Sequence, residues 1–224
     1  MTVDEAMREL ERAGTAQNRK VYARHGIGER MFGVSFAALR SLARTIKVDH
    51  ELARGLWATG NHDARVLATM VADPDRFDGR TLDRWATDLD NYVVTDAFSQ
   101  LVSRSALVRE KMAAWSAAEG EWVSRAGWRL LSYLALEHDD VADEELEERL
   151  GVIEREIHGR PNHTRDAMNG ALIAIGLRNA KLEKKAVTAA KRIGKVEVDH
   201  GETSCETPDA AAYIAKAKAR RRPR

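Results

Sequence analysis

The segment 199–205, DHGETSC, carries the densest group of potential metal ligands in the chain. Asp199, His200 and Cys205 offer an oxygen, a nitrogen and a sulfur, but no second cluster accompanies them, and structural zinc sites need four ligands. We therefore expect no metal and no other cofactor. The segment instead predicts a polar loop in which Asp199 or Thr203 caps a helix that starts near Pro208. Cys205, the single cysteine, has no evident partner for nucleophilic chemistry.

The motifs of the common enzyme classes are missing from the sequence. It has no phosphate-binding loop ending in Gly-Lys-Ser/Thr, no GxGxxG after a strand, no nucleophile elbow and no HExxH. One cysteine excludes a disulfide-stapled scaffold, and no apolar run approaches the roughly 18 residues of a membrane span. The start, MTVDEAMREL, lacks the apolar core of a secretory signal. We expect a cytoplasmic protein.

Apolar residues recur at helical spacing along most of the chain. Leu39, Leu42, Ala43 and Ile46 form one such stripe, and two others lie within 130–135 and 172–175. Alternating β-branched residues are almost absent, with KVEVDH at 195–200 as a short exception. This pattern predicts an all-α protein of about 11 or 12 helices, each roughly 10–18 residues long.

Capping residues stand where these helices should begin and end. Polar caps precede four apolar stripes, at Ser35, Asp49, Asn61 and Asn162. Five glycines near stripe ends are expected to stop helices: Gly26, Gly60, Gly120, Gly159 and Gly194.

Four segments share a pattern of polar residues, a small alanine and large apolar residues. They are centred on Asp63, Asp96, Arg125 and Asp166, at spacings of 33, 29 and 41 residues. A drifting period of about 30–45 residues in a helical chain is typical of stacked helix pairs, an α-solenoid. We expect the four anchors at equivalent places on successive inner helices, along one edge of a concave groove. Chance similarity between amphipathic helices is the alternative.

Charge is distributed unevenly although the net charge is only +1. Residues 71–158 carry 10 basic and 20 acidic side chains, whereas residues 159–224 carry 15 and 7. The acidic run 139–149 fits a solvated outer helix face. The basic ending, KAKARRRPR, fits either a solubilising disordered end or an arm that contacts phosphates.

Four segments in order resemble the AlkD-like DNA alkylation repair family of HEAT-like repeat proteins. They are YARHGIGERMFGVSFAALRSLAR at 22–44, LWATGNHDARVLATMVADP at 56–74, LDNYVVTDAFSQL at 89–101 and WVSRAGWRLLSYLA at 122–135. The segment 194–214 is similar to the ending of a subgroup of these proteins. The resemblance implies an α-solenoid of antiparallel helix pairs, an α-α superhelix with a concave groove. We place a single domain at 1–214 and a basic tail at 215–224.

The resemblance also implies roles for particular residues. Asp96 matches the catalytic aspartate and Arg125 the arginine that holds a backbone phosphate, while Tyr92 stands where the family has a tryptophan. The second groove tryptophan is missing, since its place falls at Gly170, or at Ala171 with a shift of one residue. Studied members release alkylated, positively charged bases from DNA. For such a reaction one carboxylate stabilises the oxocarbenium-like sugar, and aromatic faces attract the cationic base. Trp122 and Trp128 are further candidates for that aromatic contact.

These residues also have structural explanations. Asp96 could cap its helix or pair with Arg104 or Arg125, and Arg125 could pair with the acidic middle third. Four tryptophans are spaced as core residues: Trp57, Trp85, Trp115 and Trp128.

Two functions follow. The first is hydrolysis of the N-glycosidic bond of N3- or N7-alkylated purines in double-stranded DNA. The second is a helical-repeat module that binds DNA or a protein partner without chemistry. DNA binding is expected to place five basic residues on one face: Arg125, Arg165, Lys184, Lys185 and Arg192. We expect a monomer associated with the nucleoid and not with a membrane.

Overall fold

The computed structural model describes residues 1–221, which fold into thirteen α-helices and two 3-10 turns. The predicted all-α class is confirmed, while the predicted number of helices was too low. No strand occurs within these residues, and 195–200 has no regular secondary structure. The helices are α1 (Val3–Ala13), α2 (Ala16–Arg24), α3 (Phe36–Ile46), α4 (His50–Ala58), α5 (His62–Val71), α6 (Gly79–Thr87), α7 (Tyr92–Val102), α8 (Val108–Ser116), α9 (Glu121–Glu137), α10 (Asp143–Glu156), α11 (Asn162–Arg178), α12 (Ala180–Ile193) and α13 (Ala210–Arg221).

Helix starts confirm three of the four predicted caps. The side chains of Ser35, Asp49 and Asn61 each accept a hydrogen bond from the backbone N–H three residues further on. Asn162 was predicted wrongly, because it is the first residue of α11 and a proline precedes it as the cap. Its side-chain amide instead donates to the carbonyl of Asp199 at 2.7 Å.

The predicted cap of the last helix was also wrong. Asp209 accepts the N–H of Ala212 at 2.7 Å and begins α13. Asp199 pairs with Asn162 instead, and the Thr203 hydroxyl donates to the carbonyl of His200. Helix α13 continues past the predicted boundary at residue 214, and the end of the predicted tail, 222–224, lies outside the described residues.

Three of the five glycines stop helices as predicted. Gly26, Gly60 and Gly194 follow α2, α4 and α12 with φ of 74°, 68° and 70°, a conformation that costs glycine little. Gly120 and Gly159 do not stop α-helices. Gly120 is the residue before α9, and Gly159 lies in a 3-10 turn.

The chain divides into two compact units. Unit 1 comprises residues 1–107 with 200–204, and unit 2 comprises residues 108–199 with the described residues from 205 on. In unit 1, α5 packs against α3, α4 and α7; in unit 2, α9 packs against α8 and α11, and α12 packs against α10 and α11. Among the described residues, no helix is long and apolar enough to cross a membrane.

Three of the four repeat anchors occupy equivalent positions. Asp96, Arg125 and Asp166 are each the fifth residue of their helix, in α7, α9 and α11. Asp63 differs, since it is the second residue of α5 and is fully buried. Its carboxylate accepts three backbone N–H groups of the preceding loop, from Phe32 at 2.6 Å, Gly33 at 3.0 Å and Val34 at 2.9 Å. Asp63 therefore fixes the connection between α2 and α3.

Helices α9 and α11 run parallel in a fixed register. The Thr164 hydroxyl donates to the carbonyl of Glu121 at one end, and Arg178 donates to the carbonyl of Ala135 at the other. Both pairs are 43 residues apart, close to the predicted spacing of 41. Arg178 also donates to three further carbonyls after α9, those of His138, Asp139 and Val141. This guanidinium satisfies backbone groups that the end of a helix leaves unpaired.

Gly127 permits the close packing of α8 on α9. A Cβ atom at this position would overlap the backbone of α8 at residues 115–116. No flexible side chain is involved in that overlap, so the backbones themselves set the distance.

Candidate nucleic-acid interface

Arg125 lies between α9 and α11 and is buried, with 3% of its surface exposed. Its Nη1 donates to the Asp166 carboxylate at 2.8 Å and to the carbonyl of His163 at 3.0 Å. Asp166 lies outside the acidic middle third with which Arg125 could have paired. These contacts join the two helices, and the contact of Arg125 with a phosphate stays a prediction.

Trp122 stands at the beginning of α9 and is half-buried. Its ring stacks on His163, with centroids 4.7 Å apart and planes at 27°. The Glu121 carboxylate accepts the backbone N–H of His163 at 2.7 Å, so the start of α11 is held beside the start of α9. By contrast, the other tryptophans are 1–4% exposed, which confirms their predicted place in the core: Trp57, Trp85, Trp115 and Trp128.

Arg129 is a candidate that the sequence analysis missed. It is half-buried one turn after Arg125, and its guanidinium lies over the ring of Tyr133 at 5.9 Å. The spacing of four residues from Arg125 was the available signal, because residues four apart share a helix face. Arg165, which was predicted to bind nucleic acid, is also half-buried, and its Nε makes no hydrogen bond within the described residues.

The position of the missing second aromatic lies beside Arg129. A Cβ atom on Gly170 would lie 3.9 Å from Nη1 of Arg129, in ordinary contact, whereas Ala171 is fully buried. Gly170 therefore leaves space where the family resemblance implies a ring.

The basic residues of α12 lie against acidic residues of α10. Lys185 is 2.5 Å from Glu147 and Arg192 is 3.3 Å from Glu154. These residues and Lys184 line a cleft of about 720 Å³ between α10 and α12. Hydrogen bonds from Lys185 and Lys181 lower the pKa of the Glu147 carboxyl. The predicted acidic outer face is thus covered partly by lysines of α12.

These contacts divide the five predicted basic residues between two helix pairs. Arg125 and Arg165 belong to the α9–α11 pair, whereas the basic side chains of α12 face α10. A role for Lys184, Lys185 and Arg192 in nucleic-acid binding stays a prediction, and carboxylates oppose the charge of two of them.

Tyr92 and Asp96 lie in unit 1, one turn apart on α7, and both are half-buried. The Tyr92 hydroxyl lies 2.7 Å from Nδ1 of His25, at the end of α2. Asn91 caps α7 through its side chain, so Asp96 does not have that role. The phenol is therefore positioned by the histidine that follows α2.

His62 of α5 contacts Asn91, the residue before α7, and is 7% exposed. Its Nδ1 is 3.3 Å from Nδ2 of Asn91, and its ring meets that of Tyr22 edge-on at 5.9 Å. Burial lowers the pKa of His62, because the protein interior disfavours the charged ring. Burial likewise raises the pKa of the Tyr22 hydroxyl.

The segment 199–205 forms a polar loop. Among the described residues, no three His, Cys, Asp or Glu side chains come together as metal ligands would. Cys205 is exposed.

A family described as DNA alkylation repair enzyme matches residues 6–214. The chain belongs to this family. The predicted family resemblance is thereby confirmed. As a member of the family, the chain is 29% identical to an uncharacterized protein of Listeria innocua over 231 residues. It is 28% identical to an uncharacterized protein of Listeria monocytogenes over the same length. Each comparison covers 98% of this chain and 99% of the relative.

One solved structure is similar over almost its whole length. It is described as a new family of proteins related to the HEAT-like repeat DNA glycosylases with affinity for branched DNA structures. The identity is 31% and the TM-score is 0.91, with 99% of this chain and 96% of the other covered. The HEAT-like repeat fold that we predicted is confirmed.

Proposed function

We propose that the protein binds DNA through the α9–α11 face of unit 2 and prefers branched DNA to a linear duplex. The observation that carries the proposal is the likeness, at a TM-score of 0.91, to a protein described as having affinity for branched DNA structures. That face offers partly exposed cations and an aromatic pair, the groups with which proteins hold phosphates and bases.

The arrangement of charge supports the α9–α11 face over the α10–α12 cleft. Arg129 and Arg165 are half-buried on this face, and Nε of Arg165 makes no hydrogen bond within the described residues. Lys185 and Arg192 already have glutamate partners. Each phosphate that a cation neutralises releases counterions, and a cation with a carboxylate beside it contributes less to this gain.

Titration of a labelled four-way junction and of a linear duplex with the same arm sequences tests the proposal. We expect tighter binding of the junction, with an affinity that falls steeply as salt rises. Arg129→Gln and Arg165→Gln should each weaken binding and reduce the slope of log K against log salt by about 1. Arg12→Gln is the control, because this substitution removes the same charge from an exposed residue of α1, outside the α9–α11 face. Equal affinity for both DNAs would refute the preference, and no binding would refute the function.

Hydrolysis of alkylated purines is a second candidate, favoured by the family match and by Tyr92 and Asp96 on one face of α7. Alkylation of a ring nitrogen makes the base cationic, so it leaves as a neutral molecule without a strong acid. Water attacks C1′ as the C1′–N bond breaks and gives up one proton to the solvent, and the Asp96 carboxylate stabilises the developing positive charge on the sugar. The ring of Tyr92 attracts the cationic base.

Release of methylated base from alkylated duplex DNA tests this second function. The wild-type protein should release base and Asp96→Asn should be at least about 100-fold slower, since electrostatic stabilisation of this kind contributes that much. Equal release by both proteins, or release by neither, rejects hydrolysis and leaves the binding proposal unaffected.

A further inference from the structure

Trp122 is the one tryptophan of five that lies outside the core. Leaving part of a large apolar ring in water forgoes hydrophobic stabilisation that the other four tryptophans obtain. The ring is nevertheless not loose, because His163 stacks against it with centroids 4.7 Å apart.

The aromatic pair lies where hydrogen bonds tie the starts of α9 and α11 together. The Glu121 carboxylate accepts the N–H of His163 at 2.7 Å, and Arg125 donates to the carbonyl of the same residue at 3.0 Å. Thr164 adds a hydrogen bond to the carbonyl of Glu121 at 3.0 Å. The starts of α9 and α11 therefore hold the two rings in place before any ligand arrives, which lowers the entropy lost on binding.

We infer that the Trp122–His163 pair is the stacking site for a nucleobase exposed at the branch point of the DNA. The inference rests on the proposed function and specifies which chemical group the face recognises. Aromatic side chains bind bases of any sequence through their planar faces. A continuous duplex hides those faces within its own stack, whereas a branch interrupts the stack and exposes them.

The surrounding residues fit a base with its attached strand. Arg129 follows Trp122 by seven residues on α9, which places it on the same helix face at roughly 10 Å along the axis. A cation at this distance is suited to a phosphate of the strand whose base stacks on Trp122. Stacking on Trp122 thus gives the preference for branched DNA, whereas Arg129 strengthens the binding of branched and linear DNA alike.

Intrinsic fluorescence measures the contact directly, because Trp122 is the partly exposed indole and the other four are buried. Binding of a four-way junction should quench the emission of the wild-type protein, and a linear duplex should not. Trp122→Ala should lose the quenching and about tenfold in junction affinity, while duplex affinity stays within about twofold. Trp122→Phe should lose the quenching but keep junction affinity within about threefold, because a ring remains.

The variants separate this inference from the proposed function. If the wild-type protein fails to prefer the junction, both fall. If it prefers the junction but Trp122→Ala keeps that preference, or loses junction and duplex affinity equally, the stacking site alone is refuted. Circular dichroism at equal temperature must show that Trp122→Ala is folded. If it is not, fluorescence decides: wild-type emission that stays unquenched on junction binding, or quenching that persists in Trp122→Phe, refutes the contact.

Discussion

Replacing Asp63 by asparagine changes one atom and perturbs three hydrogen bonds. Oδ2 accepts the N–H groups of Phe32 and Gly33, and Oδ1 accepts that of Val34. An asparagine oxygen in place of Oδ2 keeps two bonds and turns an NH2 group toward the N–H of Val34. The two remaining bonds lose their charge assistance, and one buried donor loses its partner.

The magnitude follows from these three changes. Hydrogen bonds to a charged group contribute about 1.5–3 kcal/mol each, against about 0.5–1.5 kcal/mol for neutral pairs. Weakening two bonds and losing the third gives a decrease of roughly 3–5 kcal/mol in the free energy of unfolding, since such contributions are not fully additive. This is a large fraction of the stability of a typical domain.

Urea unfolding followed by circular dichroism measures the loss, and hydrogen exchange locates it. Amides 32–34 should exchange faster in Asp63→Asn than in the wild-type protein. Asp75→Asn is the matched control, because Asp75 is exposed and should change stability by no more than about 0.5 kcal/mol. A loss below about 1 kcal/mol with unchanged exchange at 32–34 would show that the carboxylate does not hold this loop.

Three further predictions concern packing, pH and charge. Gly127→Ala should lower the free energy of unfolding by about 2–4 kcal/mol, because its Cβ overlaps the backbone of α8. Gly170→Ala should leave the free energy of unfolding unchanged or raise it by up to about 1 kcal/mol. Equal urea midpoints for the two variants would contradict this prediction. Burial lowers the pKa of His62 below 6.5, so the unfolded chain binds more protons as the pH falls below that value. Stability should therefore fall between pH 7 and pH 5, by at most about 1.4 kcal/mol per pH unit, and less in His62→Gln; equal slopes in thermal melts would exclude this residue as the cause. Lys185→Gln and Arg192→Gln should each change junction affinity less than about twofold, because glutamates already oppose both charges, and a change as large as that of Arg129→Gln would restore α12 to the interface.

The helical fold was predictable because its signals are local. Apolar spacing identified the helices, and Ser35, Asp49 and Asn61 marked their starts through contacts three residues long. The two failed caps were also local errors. Pro161 takes the cap position of α11 instead of Asn162. Asp209 caps α13 instead of Asp199 or Thr203.

The candidate site was less predictable because its contacts cross between helices. The repeat spacing placed Arg125 and Asp166 on neighbouring helices, but nothing in the sequence showed that their side chains form an ion pair. Summing charge by segment made 159–224 basic, yet could not show that glutamates from the acidic third lie against α12. Arg129 follows Arg125 by one helical turn, but spacing alone does not distinguish an arginine that contacts phosphate from an ordinary surface arginine.

The polar clasps at both ends of α9 and α11 have a consequence for how this chain tolerates change. Glu121 and Arg178 fix these helices against sliding, and Arg178 also ties in the start of α10, because its Nε lies 3.7 Å from the Asp143 carboxylate. Exposed positions of α10 beyond Asp143 can therefore change in sequence while α9 and α11 keep their alignment to within a fraction of a turn. Variation among relatives should accordingly accumulate on the exposed face of α10 and spare Glu121, Asp143 and Arg178.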